Sequence, residues 1–147
     1  MAQLQTDSLL EIVAEVLESS AFVSLSPADP SVPPPENAEI ATIELVGAGR
    51  LHIAASPRLG SLIAANIMGF EPGSPEADAG SGDALKEILN ITAGGFSSRL
   101  DPVPEMCLPQ ITPLADAGAW KAWVEKMSAE VVLADEHPLA IAFEAKS

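Results

Sequence analysis

The chain has 147 residues, 48% of them hydrophobic but only 4% aromatic, so one domain with a core of Leu, Ile, Val and Ala is expected, burying roughly 70% of the surface the unfolded chain exposes. The formal net charge is −14, from 21 acidic against 7 basic residues. That balance repels polyanions, which argues against nucleic acid and anionic membrane as partners and otherwise keeps an apolar small protein in solution.

The N-terminal stretch "MAQLQTDSLLEIVAEVLESS" has no basic leader and is interrupted by Asp7, Glu11, Glu15 and Glu18, unlike a signal peptide. No apolar run approaches the ~18–20 residues of a membrane span, and a cytoplasmic location is expected. The spacing of Leu9, Ile12, Val13, Val16 and Leu17 predicts a helix from about Asp7 to Ser20, with Ser8 and Glu11 as a capping box and Thr6 or Asp7 as competing caps. "SPADPSVPPPEN", Ser26 to Asn37, is too rich in proline for a helix or a central strand and reads as a long loop. Ala38 to Ala55 reads as a hairpin: β-branched residues in "IATIELV" and "RLHIAA" flank a Gly47-Ala48-Gly49 turn. Ser56-Pro57 then opens a second helix, "SPRLGSLIAANIMG", that stops at Gly69.

"EPGSPEADAGSG", Glu71 to Gly82, reads as a mobile acidic linker. A third helix is predicted from Asp83 to about Leu100, with Leu85, Ile88 and Leu89 as its core stripe. "DPVPE" breaks the chain, and "MCLPQI" reads as short and extended. Within it Cys107, the one cysteine, allows no internal disulfide, fits a reducing compartment and reads as a small core residue. "GAWKAWVEKM" fits helix or strand. Its Trp120 and Trp123 read as packing or dimer residues. "SAEVVLA" and "LAIAFEA" read as a closing pair of strands turned between Asp135 and Pro138. The expected class is α+β, with long helices packed on an antiparallel sheet.

The first and third helices echo each other. "DSLLEIVAEV" and "DALKEILNIT" align Asp7 with Asp83, Leu9 with Leu85, Glu11 with Glu87, Ile12 with Ile88 and Val13 with Leu89, while Ala14 stands where the later helix has Asn90. A duplicated helix–strand unit is one explanation, with half-repeats of about 6–70 and 83–147 joined by a linker at 71–82. Chance similarity of amphipathic helices is the other.

Asp83, Glu87, Asn90 and Gly94 fall three or four apart and share one helix face, away from the core stripe. A solvated face would explain the acids, with Asp83 as cap. It does not explain "NITAGG", because glycine costs ~1 kcal/mol against alanine inside a helix and is useful where another backbone comes close. The Asn90 amide does not titrate near neutral pH, so it cannot be a general base; it can donate to and accept from a water at once. Glu87 can pair with a partner's cation. Positioning a water beside fixed charges suits phosphoryl transfer, where placement and electrostatics supply most of the acceleration.

The segment Asp83-x-x-x-Glu87-x-x-Asn90 followed by "ITAGG" resembles the signature of the CheC/CheX/FliY chemotaxis phosphatases. That signature includes a downstream proline: spacing from Asn90 nominates Pro113, the local context "LPQI" nominates Pro109, and both stay open. "LIAANIMGFEP" is similar to the family's helix ending in Met-Leu-Gly, and Gly95 departs from a lysine common among relatives. Two-centre members carry Glu and Asn in both half-repeats, so Ala14 makes this chain resemble the single-centre CheX type. The resemblance implies hydrolysis of the aspartyl phosphate on a CheY-like response regulator. Glu87 would anchor on a regulator lysine, Asn90 would orient water, and Asp83 and Gly94 would support them. Mg2+ would be held by the regulator, this chain would need no cofactor of its own, and a homodimer is expected. The competing reading is a non-catalytic module that binds a receiver domain or a flagellar switch component. A metalloenzyme has little support, since His52 and His137 lie in separate predicted strands without ligand spacing, and no phosphate-binding glycine loop occurs.

Overall fold

The computed structural model describes residues 2–146, with side chains from Asp7 onward. Its elements run α1 (Ala2–Ala21), β1 (Leu25–Pro27), β2 (Ala38–Leu45), β3 (Gly49–Ala55), α2 (Pro57–Met68), α3 (Pro75–Ala79), α4 (Ser81–Ser97), β4 (Gln110–Leu114), α5 (Ala117–Met127), β5 (Glu130–Ala134) and β6 (His137–Ala145). All strand pairs are antiparallel, in the order β1-β5-β6-β3-β2-β4. Exchanging β1 with β4, β2 with β5 and β3 with β6 turns that order into its own reverse.

Alternation along the strands gives the sheet two different faces. Ala41, Ile43, Leu45, Leu51, Ile53, Ala55, Leu139 and Ile141 point to one side and form the main core with the buried stripes of α1, α2 and α4. Ala38, Ile40, Ala54, Ala140 and Ala142 point to the other and are covered by Trp120 and Trp123 of α5. The small residues on that second face make room for two indoles, so the tryptophans are packing residues of this chain.

Local chemistry sets several boundaries as expected. Ser56 caps α2 by accepting from the Leu59 N–H at 3.2 Å, and Gly69 closes it in the left-handed conformation. In the β2–β3 hairpin Gly49 has φ 143°, and a Cβ there would collide with the Glu144 carbonyl oxygen of β6.

Four expectations need correction. Helix α1 begins at Ala2, so Ser8 and Glu11 lie inside it and form no capping box; the Ser8 hydroxyl instead accepts from Arg99 Nη1 at 2.6 Å, tying the chain just after α4 to α1. The proline-rich loop is shorter than expected, because Leu25–Pro27 pairs with β5 at the sheet edge, where the missing proline N–H is tolerated. The acidic linker is ordered helix: Ser74 and Pro75 open α3, Ala77 is fully buried, and the Ser61 hydroxyl donates to Asp78 at 2.7 Å. Cys107 is exposed rather than buried, because the stretch before β4 runs along the rim of β2 outside the cover of the helices.

Candidate functional site

Helix α4 lies across the sheet between α1 and α2, with contacts to β2 and β3 beneath. Ala84, Leu85, Ile88, Leu89, Thr92, Ala93 and Phe96 make its buried stripe. That burial fixes the rotation of the helix and turns Asp83, Glu87 and Asn90 outward, all three exposed. Two close approaches hold the helix in place. Gly60 of α2 sits against the Ser81 side chain, leaving no room for a Cβ, and Gly95 faces Ile12 of α1, where a Cβ would stand 3.2 Å from Cγ2. The two glycines of "AGG" thus differ: Gly95 is crowded by α1, whereas a Cβ at Gly94 would meet nothing within 4 Å.

Asp83 is not the N-cap, because α4 starts at Ser81 with Gly80 before it and no side-chain cap. It sits in the first turn, where a carboxylate is favoured by the helix dipole, and takes an exposed ion pair from Lys86 at 3.4 Å. Among the described residues, Glu87 and Asn90 make no hydrogen bond or ion pair within the chain. One helical turn apart on the same face, a carboxylate and a carboxamide are therefore both unengaged.

The two candidate prolines stand at different places along this helix. Ser97, at the end of α4, contacts Met106 through its hydroxyl at 3.9 Å, while Gly82, at the start, faces Ile111, whose Cγ1 would lie 3.8 Å from a Cβ on that glycine. The chain from Met106 to Ile111 therefore runs antiparallel to α4. Pro109 lies between those anchors, and Pro113 lies in β4 opposite Glu39. The bridge Leu45–Met106 and the pair Thr42–Gln110 enclose one more residue on the Pro109 side than on the β2 side, so the chain bulges between Cys107 and Gln110.

A cleft lies elsewhere. About 620 Å³ opens on the second face of the sheet, lined by Thr42, Glu44, Arg50, His52, Gln110 and Trp123 among others. His52 is buried there, with Nδ1 2.8 Å from Thr42 Oγ1, Nε2 3.2 Å from Glu144 Oε1 and its ring edge-on to Trp123. Burial holds its pKa below the ordinary histidine value, opposed in part by the Glu144 carboxylate. Asp29 is likewise held below its usual range, by the Ser31 N–H and hydroxyl, and lies in the exposed proline-rich loop. Among the described residues no three His, Cys, Asp or Glu side chains gather as a metal site, and no helix is long and apolar enough to cross a membrane. His137 begins β6, and nothing brings it to His52 as a ligand pair.

The outward face of α4 is thus a convex ridge, not a pocket. A ridge cannot enclose a small substrate, but it can enter a concave site on another macromolecule.

Several solved structures share this architecture. The chemotaxis protein CheX of Vibrio vulnificus matches with TM-score 0.66 at 16% identity, over 97% of this chain and 96% of that one. A CheC-like superfamily protein of Shewanella sp. PV-4 matches with TM-score 0.63 at 17% identity, over 97% of each chain. CheX of Borrelia burgdorferi, solved as a CheX–CheY–BeF3–Mg2+ complex, matches with TM-score 0.60 at 15% identity, over 96% of this chain and 97% of that one. No protein-family profile and no curated protein matches the sequence. At these identities the likeness is one of fold: six antiparallel strands with helices packed on them, as in the CheC, CheX and FliY proteins.

Proposed function

We propose that this chain, which folds as the CheC, CheX and FliY proteins do, is a single-centre phosphatase of that family acting on the aspartyl phosphate of a CheY-like response regulator. The observation that carries the reading is the outward pair on α4: Glu87 and Asn90 stand one turn apart, exposed and unengaged by their own chain. A folding requirement would not select an exposed asparagine in mid-helix, since its helix propensity is poor and its amide gains nothing from the interior.

The chemistry follows from the two groups. Asn90 can donate through Nδ2 and accept through Oδ1, so it can hold a water against a phosphorus without removing its proton. The regulator's Mg2+ would carry the phosphoryl charge, and Glu87 would pair with a cationic side chain beside the phosphorylation site. Convexity is what such a division of labour needs, because the concave part of the composite site lies on the partner. The Borrelia burgdorferi neighbour was solved with CheY, BeF3 and Mg2+, which supports a receiver domain as partner here.

Other features agree with this reading. The strand order that reads as its own reverse is the arrangement a duplicated helix–strand unit produces, with α1 and α4 as its two helices and about 6–70 and 83–147 as its halves. Only the second copy carries the amide, so the chain has one centre per protomer. Of the two candidate prolines we take Pro109, which lies between the Met106 and Ile111 anchors, as the one that would support Asn90. A cytoplasmic homodimer completes the proposal.

The test is phosphate release. Purified chain added to phosphorylated receiver domains of its source organism should accelerate dephosphorylation of at least one, and Asn90→Ala should abolish the acceleration with unchanged folding. Binding of a phosphorylated receiver with no faster release would replace the phosphatase by a non-catalytic docking module.

A further inference from the structure

Glycine is disfavoured inside a helix relative to alanine, so each one asks for a reason. Gly60 and Gly95 have reasons inside the molecule, in the Ser81 side chain and in Ile12. Gly94 has none. A Cβ there would find open space, and the residue keeps ordinary helical backbone, with no positive φ. Next to it Ile91 is 40% exposed, a large apolar side chain on a face otherwise polar. Glu87, Asn90, Ile91 and Gly94 stand at i, i+3, i+4 and i+7, which makes them one contiguous lozenge on the helix surface.

Resting on the reading of α4 as the face that meets a phosphorylated receiver domain, we propose that Ile91 and Gly94 are specificity-determining contacts for that partner. Reach is what demands it. An asparagine carries its amide group directly on Cβ, so Asn90 enters another protein's pocket only if the helix backbone lies against the rim. A side chain at Gly94, one turn further on, would hold the backbone off. Bare helix at that position lets the partner's main chain beside the phosphoryl pocket come into contact. Ile91 closes the side of the contact towards α1, and its exposed surface fits an apolar residue on the partner's rim. Selected partners therefore combine a small, low rim with an apolar neighbour and a cation for Glu87.

The experiment measures steady-state dephosphorylation of a phosphorylated receiver domain by wild type, Gly94→Ala, Gly94→Leu and Ile91→Ser, with the melting temperature of each. Gly94→Ala should melt about 2–5 °C higher while its KM rises roughly threefold. Gly94→Leu should raise KM at least tenfold with kcat within twofold and no loss of melting temperature. Ile91→Ser should raise KM about fivefold. A more stable protein that docks less well is something no purely structural role of Gly94 yields. If wild type turns over and Gly94→Leu keeps its KM, this inference is overturned alone. A wild-type chain that neither binds nor dephosphorylates any receiver sinks it together with the function proposed above.

Discussion

Helices α1 and α4 pack side by side on the same sheet face and their sequences echo each other, but after the first two shared acids only their inner faces agree. Leu9 and Leu85, Ile12 and Ile88, Val13 and Leu89 are all buried at matching positions. Their outer faces diverge. On α1 the exposed side carries the acids Asp7, Glu11, Glu15 and Glu18; on α4 it carries two acids, Asp83 and Glu87, followed by an amide, an isoleucine and a bare glycine. Burial dictates what points inward, because each apolar side chain removed from water is worth ~1.5–3 kcal/mol. Nothing in folding dictates the outward choice beyond solubility, which acids alone satisfy on α1. On the function proposed above, the departure on α4 is the part of the molecule that answers to something outside it.

Moving the amide tests that difference most severely. Asn90→Ala should lower dephosphorylation about 100-fold or more, the scale seen when one positioned polar group is removed from a site that works by electrostatics and placement. Grafting the amide onto the other helix, as the double variant Asn90→Ala with Ala14→Asn, should not restore it. Ala14 is half-buried where Asn90 is exposed, so the matched position does not present its side chain to a partner. Stopped-flow phosphate release checks both, and recovery in the double variant would show that the two faces are interchangeable after all. Next in size is the shared acid. Glu87→Ala should weaken receiver binding about five- to tenfold, as loss of one interfacial ion pair does, while Glu11→Ala leaves affinity within twofold. Titration calorimetry with each variant measures the difference, and equal effects would mean that general negative charge, not Glu87, recruits the partner.

What the sequence discloses follows the same division between near and far causes. The outward placement of Asp83, Glu87 and Asn90 is legible because a 3.6-residue period needs only the helix itself, and Ser56 and Gly69 bound α2 because caps are made within a few residues. Helix α3 escapes the sequence reading although Ser74-Pro75 repeats the Ser56-Pro57 signal, because its acidic, glycine-rich surroundings resemble a linker and the burial of Ala77 comes from packing between helices, chiefly of α3 on α2. Strand β1 escapes it because three residues including a proline carry no strand pattern, and pairing with Ala134 at the far end of the sequence creates the strand. The exposure of Cys107 is hidden for a related reason: whether an apolar run is covered depends on which helices reach the sheet rim. The contrast between Gly94 and Gly95 is half legible: the helical period puts Gly94 on the outward stripe, but the crowding of Gly95 depends on where Ile12 of α1 stands.

The smallest expected effect lies on the inner face. Thr92 is fully buried in the α4 stripe, and its hydroxyl oxygen has no hydrogen-bond partner among the described residues. The matching position on α1 is the buried Val16, which fills similar space without a polar atom. Burying an unpaired hydroxyl costs on the order of 1–3 kcal/mol, and valine keeps the branched shape and a comparable helix propensity. Thr92→Val should therefore stabilise the fold by about 1 kcal/mol, and Val16→Thr should lose a comparable amount, both read as a displaced urea midpoint at constant slope. Neither change should move dephosphorylation, because the inner face meets only this chain. If Thr92→Val lowered activity while raising stability, the hydroxyl would be setting the pose of Asn90 through the helix, and the separation between an inner face made for folding and an outer face made for a partner would fail at that residue.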